Sequence, residues 1–167
     1  MAIEGLDTVL NNLRNAIYKL REQGRVGLIH AQAKIHDDME SVSPRVPQDL
    51  KNLTNSYFCV DSDGNIIEGS SPNFDNARKD SARMQMEHTS FVTMHRYESM
   101  LKKTTGVNVI FGFTAYYAAL VHEMVASSSG KPINWTRPGS GPKFFEAAVK
   151  RNSNIINVIA KQMKLPK

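Results

Sequence analysis

The segment from Val107 to Val149 constrains the fold more than any other part of this chain, because its pattern changes from strand to loop to helix. The residues at 107, 109, 111 and 113 are apolar and alternate with Asn, Ile and Gly, which predicts a partly buried strand. A small and aromatic segment follows and ends at His122 and Glu123, before a loop rich in Ser, Gly and Pro. Pro142 then suits the first turn of a helix, where its missing N–H does no harm. The chain therefore needs a sheet against which helices pack.

Apolar residues at helical spacing predict helix over most of the first forty residues. Between residues 5 and 22 they are Leu6, Val9, Leu10, Leu13, Ile17 and Leu20. Gly24 and Gly27 interrupt the pattern before it resumes, so the segment is either one long helix kinked near Gly24 or two helices in succession. Pro44 and Pro47 end it, because proline cannot continue the backbone hydrogen-bond ladder.

Short strands are predicted at 56–61 and 65–69. The turn-forming sequence Asp-Ser-Asp-Gly-Asn between them favours a hairpin. Residues 133–137 are a candidate for a further short strand, which would extend the sheet built from the hairpin and 107–113.

Two more helices are predicted. Residues 74–103 carry an apolar stripe, and a helix of that length is long for so small a domain. We expect this helix to project or to pack against a neighbouring subunit. The final helix is predicted from about Pro142 to Met163, with these residues facing inward: Phe145, Ala148, Val149, Ile155, Ile156 and Ile159.

The predicted architecture is a single α+β domain over residues 1–167. A small antiparallel sheet is packed by the N-terminal and C-terminal helices, with an extra long helix inserted around 74–103. The parts are an N-terminal helical region (1–43), a sheet core (44–70 and 107–137), a helical insertion (71–105) and a C-terminal helix (138–167).

Composition narrows the environment and the class of partner. No apolar run approaches the roughly 20 residues that a membrane span needs, so no membrane association is expected. The N-terminus lacks the features of a secretory signal, and a single Cys allows no intrachain disulfide, which favours synthesis in a cytoplasm. The net charge is +5, and the segment from Arg137 onward holds seven basic residues against one acidic residue. This basic segment is either a DNA contact or a solvated helix face.

Two patterns resemble catalytic or nucleotide-binding motifs but fail on spacing. A zinc-protease helix needs a second His three positions after the Glu of His122-Glu123, and that position is Ala126. The Gly130-Lys131 pair lacks the preceding Gly of a phosphate-binding loop, because position 125 is Val.

Metal and thiol chemistry are equally poorly supported. The acidic turn that begins at Asp61 has its last carboxylate at position 8 rather than at position 12 of a calcium loop. His88 and His95 are seven residues apart, with no further ligand in the pattern. Cys59 has no activating base beside it in the sequence. We therefore expect no enzyme activity, no cofactor and no bound metal.

The same 107–150 region resembles the tail-completion, or head–tail connector, proteins of tailed bacteriophages, of the lambda-like minor neck protein type. That family has a GFTA-YA-x-x-VHE segment, a variable loop and a GxxKFxE-x-A helix start. The matching residues here are Gly112, Phe113, Thr114, Ala115, Tyr117, Ala118, Val121, His122, Glu123, Lys143, Phe144, Glu146 and Ala148. A P-x-D-T-G-x-L-x-x-S pattern earlier in the family is matched at Pro47, Asp49, Leu53 and Ser56, while Leu50-Lys51 replace its Thr-Gly.

The resemblance implies a structural virion protein that forms a ring, commonly a hexamer, in the neck of the particle. Its implied partners are other copies of the chain, head-side adaptor or stopper proteins, tail terminator or tail tube proteins, and the DNA that passes through the lumen. A free nucleic-acid-binding module that acts through the C-terminal helix is the alternative function.

Candidate residues follow for each kind of contact. Trp135 is either an interface anchor or a cap on the core. The candidates for subunit or partner contacts are Tyr116, Tyr117, His122, Glu123, Trp135, Arg137, Lys143 and Phe144. The candidates for facing DNA are Lys150, Arg151, Lys161 and Lys164.

Overall fold

The computed structural model describes residues 6–48, 51–74, 80–103, 106–127 and 130–163. This part of the chain contains a three-stranded antiparallel sheet and six helices, an α+β fold as predicted. The elements are α1 (Leu6–Ser41), α2 (Asn52–Asn55), β1 (Tyr57–Asp61), β2 (Ile66–Glu68), α3 (Ser81–Lys102), β3 (Val109–Phe113), α4 (Ala118–Glu123), α5 (Phe144–Arg151) and α6 (Ile155–Gln162).

The sheet has the strand order β2-β1-β3, so β1 lies at its centre. Tyr57 pairs with Phe113 at one end of the β1–β3 ladder, and Asp61 pairs with Val109 at the other. All five residues of β1 are buried, because helices cover both faces of the sheet. The fourth strand predicted at 133–137 is wrong: this segment is a loop, which the Arg137 side chain ties to α1 instead of to the sheet.

One face of the sheet packs against α1 and α5. Tyr57 and Cys59 point to this side, where they join Met39 of α1 and Phe144 of α5. The ring of His36 on α1 stacks on Tyr57 with centroids 3.8 Å apart. The prediction that the N-terminal and C-terminal helices pack on the sheet is confirmed.

The opposite face of the sheet packs against α3. Phe58 and Val60 point to this side and join Val92 of α3, as the alternation of side chains along a strand requires. Ser99 of α3 donates a hydrogen bond of 2.6 Å to the carbonyl oxygen of Asp61. Of the two alternatives expected for α3, projection from the domain is therefore wrong. Packing against a neighbouring subunit stays a prediction, and the outer face of α3 is exposed. The predicted start of this helix at residues 75–79 lies outside the described residues.

The N-terminal segment forms one continuous helix, α1, rather than two in succession. Gly24 and Gly27 are buried within it, and Gly27 allows the backbone of α6 to approach closely at Ile159. Residues 6–21 are all exposed, so the first apolar stripe of the sequence lies outside the core of this chain.

The C-terminal segment forms two helices, so the prediction of one unbroken helix is wrong. The chain turns between α5 and α6, where the buried Asn152 side chain donates to Asp38 of α1 at 3.1 Å and to the Ala148 carbonyl at 2.9 Å. Because of this turn, Val149 and Ile156 are exposed rather than facing inward. None of the described helices is long and apolar enough to cross a membrane.

Candidate functional site

The two halves of the phage-like sequence pattern meet between α4 and α5. The backbone N–H of Lys143 donates to the carbonyl oxygen of His122 at 2.7 Å, which joins the end of α4 to the start of α5. Lys143 precedes α5 with φ of 58°, a left-handed conformation that turns the incoming loop into the helix. Four of the predicted site residues are thus brought together: His122, Glu123, Lys143 and Phe144.

An ion-pair network closes this junction on its outer side. Glu123 accepts from the Lys143 ammonium and pairs with Nδ1 of His122, whose distance to Glu123 Oε1 is 2.8 Å. The hydrogen bond from Lys143, followed by that from His122, lowers the pKa of Glu123. The side chains of Glu123 and Lys143 remain 59% and 43% exposed, so a neighbouring molecule can reach both.

Phe144 closes the junction on its inner side. Its ring is only 1% exposed and lies edge-on to Phe113, at 5.7 Å between centroids, and to His122, at 5.1 Å. Phe144 therefore belongs to the core of this chain, and its side chain does not reach the surface where a neighbouring subunit would contact it.

The two tyrosines before α4 have different roles. Tyr116 is exposed, donates to Oδ2 of Asp80 at 2.8 Å, and has the Arg83 guanidinium 5.4 Å from its ring centroid. Tyr117 is partly buried and packs against the core. Tyr116 thus links the β3–α4 connection to the start of α3 and presents an aromatic surface to solvent.

The loop before α5 holds Trp135 over the edge of the core. Trp135 is partly buried and lines a cavity of about 200 Å³ with Pro47, Gln48, Leu53, Tyr117, Val121 and Thr136. Arg137 fixes this loop to α1, because its guanidinium donates to Glu40 Oε2 at 2.7 Å and to the Glu40 carbonyl at 2.5 Å. This position matches a cap on the core that leaves part of the indole accessible.

The predicted DNA-facing residues do not share one environment. Lys150 binds Oε1 of Glu146 at 2.6 Å. Arg151 binds Asp38 through its Nε at 2.7 Å and also donates to the Ser43 carbonyl, so it joins α5 to α1. Lys161 is exposed on α6, and Lys164 lies outside the described residues.

The structure also contains a partly buried ion pair that the local sequence pattern did not indicate. Asp61 is fully buried and accepts from Arg25 Nη1 at 2.6 Å, across 36 residues of chain. Its other oxygen accepts the backbone N–H groups of Asp63 and Asn65. Both oxygens of the Asp61 carboxylate are therefore engaged within the fold. The sequence predicted the turn that begins at Asp61, but it did not predict the pairing of Asp61 with Arg25 on α1.

Other candidate chemical groups are also engaged within the fold. His88 is buried, with Nδ1 2.7 Å from Thr114 Oγ1 and Nε2 2.6 Å from the Gly69 carbonyl. Burial raises the pKa of the Cys59 thiol to about 12, so the thiol stays protonated at neutral pH. Within the described residues, no three His, Cys, Asp or Glu side chains are arranged to hold a metal ion.

Comparison with known proteins gives no relative: no protein-family model, curated protein or solved structure matches this chain.

Proposed function

We propose that this chain is a structural virion protein of a tailed bacteriophage, which forms a ring in the neck that joins the head connector to the tail. The observation that carries the proposal is the junction between α4 and α5. The two separated sequence segments that resemble the tail-completion family pack directly against each other through His122 and Lys143.

Uncovered apolar surface gives independent support for assembly. The outer face of α3 exposes Met86, Met94, Tyr97 and Leu101, whose exposed fractions run from 51% to 77%. Their spacing places them along one stripe of the helix, on the side away from the sheet. Stripes of this kind commonly mark contacts with other proteins.

The proposed ring needs two different surfaces on each subunit that meet head to tail. We assign one surface to the α3 stripe and the other to the junction side, which includes Glu123, Lys143 and the accessible part of Trp135. The head-side adaptor or stopper and the tail terminator or tube proteins would then bind the two rims of the ring, and DNA would pass through its lumen. Such a protein would be made in the host cytoplasm and incorporated into the virion.

The test is assembly of the purified chain after it is mixed with the head-connector and tail-tube proteins encoded by the same phage. Light scattering of this mixture should show the 18.7 kDa chain in an assembly that contains several copies of it, and negative-stain electron microscopy should show rings. The variant Met94→Glu with Leu101→Glu should lose the ring, while Gln85→Glu, at an exposed polar position of the same helix, should keep it. A chain that never joins any connector or tail assembly would overturn the proposal.

The same purified protein distinguishes the alternative function, a nucleic-acid-binding module, from the neck protein. It requires affinity of the free chain for duplex DNA that falls steeply as salt rises. Tight DNA binding by a chain that forms no ring with connector proteins would replace the neck proposal with this one.

A further inference from the structure

The first sixteen described residues of α1 form a helical arm, which we call the α1 arm (residues 6–21). Every residue of the arm is exposed. At its base, Arg21 donates to the Lys103 carbonyl at 3.5 Å. A helix of this length extends about 24 Å. Helices near this length are marginal in water unless an apolar face is packed against something.

The arm carries the apolar seam of a coiled coil. Its members are separated alternately by four and three residues, and they are 39% to 55% exposed: Leu6, Leu10, Leu13, Ile17 and Leu20. This spacing places three leucines at heptad position d, and Leu10 and Ile17 at position a. A strict a/d pattern is the signature of a helix that pairs with another helix, and it is narrower than the stripe of a helix packed on a globular core.

Further along α1, the continuation of this seam is already covered by another helix. The four-and-three spacing continues through Gly24, Gly27 and Ala31, all buried. Helix α6 covers the seam there, since a Cβ atom on Gly27 would lie 3.2 Å from the Ile159 Cα. The seam is therefore covered by a helix of this chain over its second half and left open over its first.

The charges beside the seam indicate which helix covers the open half. Asp7, Arg14 and Arg21 occupy heptad position e, and the g positions within the arm hold Val9 and Ala16. In a parallel pair, e faces g of the partner, so none of these charges would meet an opposite charge. In an antiparallel pair e faces e, and an axis near residue 14 places Asp7 of each arm beside Arg21 of the other. The same axis places Arg14 beside Arg14 of the partner, so two opposite-charge pairs outnumber one like-charge contact.

We propose that the α1 arm binds the α1 arm of a second copy of this chain as an antiparallel two-helix coiled coil. The contact is isologous, so it closes into a dimer and contains two equivalent Asp7–Arg21 pairs. Leu13 packs against Ile17 of the partner arm, and Leu10 packs against Leu20. The pairing is independent of the proposed neck function, because the ring contacts use α3 and the α4–α5 junction.

The test begins with light scattering of the purified chain, without other proteins, over a range of concentrations. The wild type should show a dimer that Leu13→Glu with Ile17→Glu converts to a monomer. Thr8→Glu with Asn15→Glu, at position f on the outer side of the same helix, is the matched control and should remain dimeric. A monomeric wild type, or a dimer that survives the glutamates in the seam, overturns the proposal.

Orientation is tested by oxidation of cysteine variants. A mixture of Leu10→Cys and Leu20→Cys chains should form disulfide-linked dimers, while Leu10→Cys alone should not. The wild type is the background control, because Cys59 is buried. Cross-linking of Leu10→Cys alone would show a parallel pair and overturn the antiparallel assignment.

Charge variants give a second readout of orientation. Arg21→Asp should weaken dimerisation about tenfold, as expected for two lost surface pairs, and adding Asp7→Arg should restore it. No effect of Arg21→Asp would contradict the antiparallel alignment. Ring formation with connector proteins is scored separately, so a failed arm pairing leaves the neck proposal standing.

Discussion

At the scale of single residues, Asp61 connects more elements than any sequence motif indicated. Its carboxylate holds Arg25 of α1 and the backbone of its own turn, and its carbonyl accepts from Ser99 of α3. Burial raises the pKa of Asp61, but the hydrogen bonds from Asn65, Arg25 and Asp63 outweigh burial and leave the pKa below its usual value.

The first prediction is that Asp61→Asn lowers the free energy of unfolding at pH 7 by about 2 kcal/mol, because Arg25 loses its charge-assisted hydrogen bond to Asp61 and keeps its pair with Glu22. A carboxylate with a lowered folded-state pKa stabilises the fold above its unfolded pKa, about 3.9, and this contribution is lost as the pH falls through the folded pKa. The difference between wild type and variant should therefore shrink below pH 4. Urea unfolding at pH 7 and pH 3 measures it.

The control is Asp63→Asn, whose carboxylate is 36% exposed and lies 3.8 Å from Arg25. This variant should change stability by less than about 1 kcal/mol, as exposed pairs do. An Asp61→Asn effect of the same size at both pH values would contradict the charge-based explanation.

The second prediction concerns the α4–α5 junction. Phe144→Ala should lower the free energy of unfolding by about 3–5 kcal/mol, because it leaves a cavity beside Phe113 and His122. Phe145→Ala should cost clearly less, since Phe145 is only partly buried against the core. Thermal or urea unfolding of the two variants compares them directly, and equal losses would argue against Phe144 as the residue that closes the junction.

Sequence reasoning at this scale identified the residues of the junction better than their roles. The family resemblance selected His122, Glu123, Lys143 and Phe144, and these residues meet. It assigned Phe144 to a surface contact because an aromatic helix start looks the same whether its ring points inward or outward. Asp61 was read only as part of a turn, because its partner Arg25 is distant in sequence.

At the scale of elements, two glycines lie on the side of α1 that faces α6, and their surroundings differ. A Cβ atom on Gly24 would meet only Val107 and Met163 side-chain atoms, at 3.8 and 4.0 Å. A Cβ atom on Gly27 would lie 3.1 Å from the backbone oxygen of Ile159. The first environment has space for a methyl group, and the second does not.

The third prediction is that Gly24→Ala and Gly27→Ala change stability in opposite directions. Gly24→Ala should raise the free energy of unfolding by about 0.5–1 kcal/mol, because alanine is the better helix former. Gly27→Ala should lower it by about 1–3 kcal/mol, because the α6 backbone must move away. Urea unfolding measures both, and a stabilising Gly27→Ala would mean that α6 does not cross α1 this closely.

Elements set by local sequence were predicted more successfully than those set by distant contacts. The hairpin and β3 follow from turn residues and alternation, and their predicted positions agree with the structure to within two residues. The break between α5 and α6 was missed because Asn152 makes it by binding Asp38, far away in the chain. The false strand at 133–137 had the right residue types, but Arg137 anchors that loop to α1.

At the scale of the whole molecule, periodicity in the sequence shows that a helix face needs covering but not what covers it. The stripes on α1 and α3 were both recognised from spacing. In the structure, α3 covers the sheet with one face and exposes another, while every residue of the α1 arm is exposed. These are the two faces for which we propose contacts with further protein subunits.

Ion pairs within the folded chain reduce the positive charge that is available to bind DNA. Four of the basic residues from 137 onward have acidic partners within the chain: Arg137 with Glu40, Lys143 with Glu123, Lys150 with Glu146 and Arg151 with Asp38. Binding a phosphate through these side chains would require breaking the pairs. The excess positive charge seen in the sequence therefore overstates the positive surface that the folded chain presents.

The fourth prediction is that the free chain binds duplex DNA weakly, with a dissociation constant above about 10⁻⁵ M near physiological salt. A plot of the logarithm of the binding constant against the logarithm of the salt concentration should have a slope shallower than about −2. Fluorescence anisotropy of a labelled duplex, titrated at salt concentrations from about 50 to about 200 mM, measures the dissociation constant and its salt dependence. Glu146→Gln releases Lys150 from its partner and should strengthen binding, whereas Gln85→Glu on α3 should leave it unchanged. A steep slope in the wild type would mean that many Lys and Arg side chains neutralise phosphates and release counterions from the DNA. That result would contradict the charge pairing and favour a nucleic-acid-binding role.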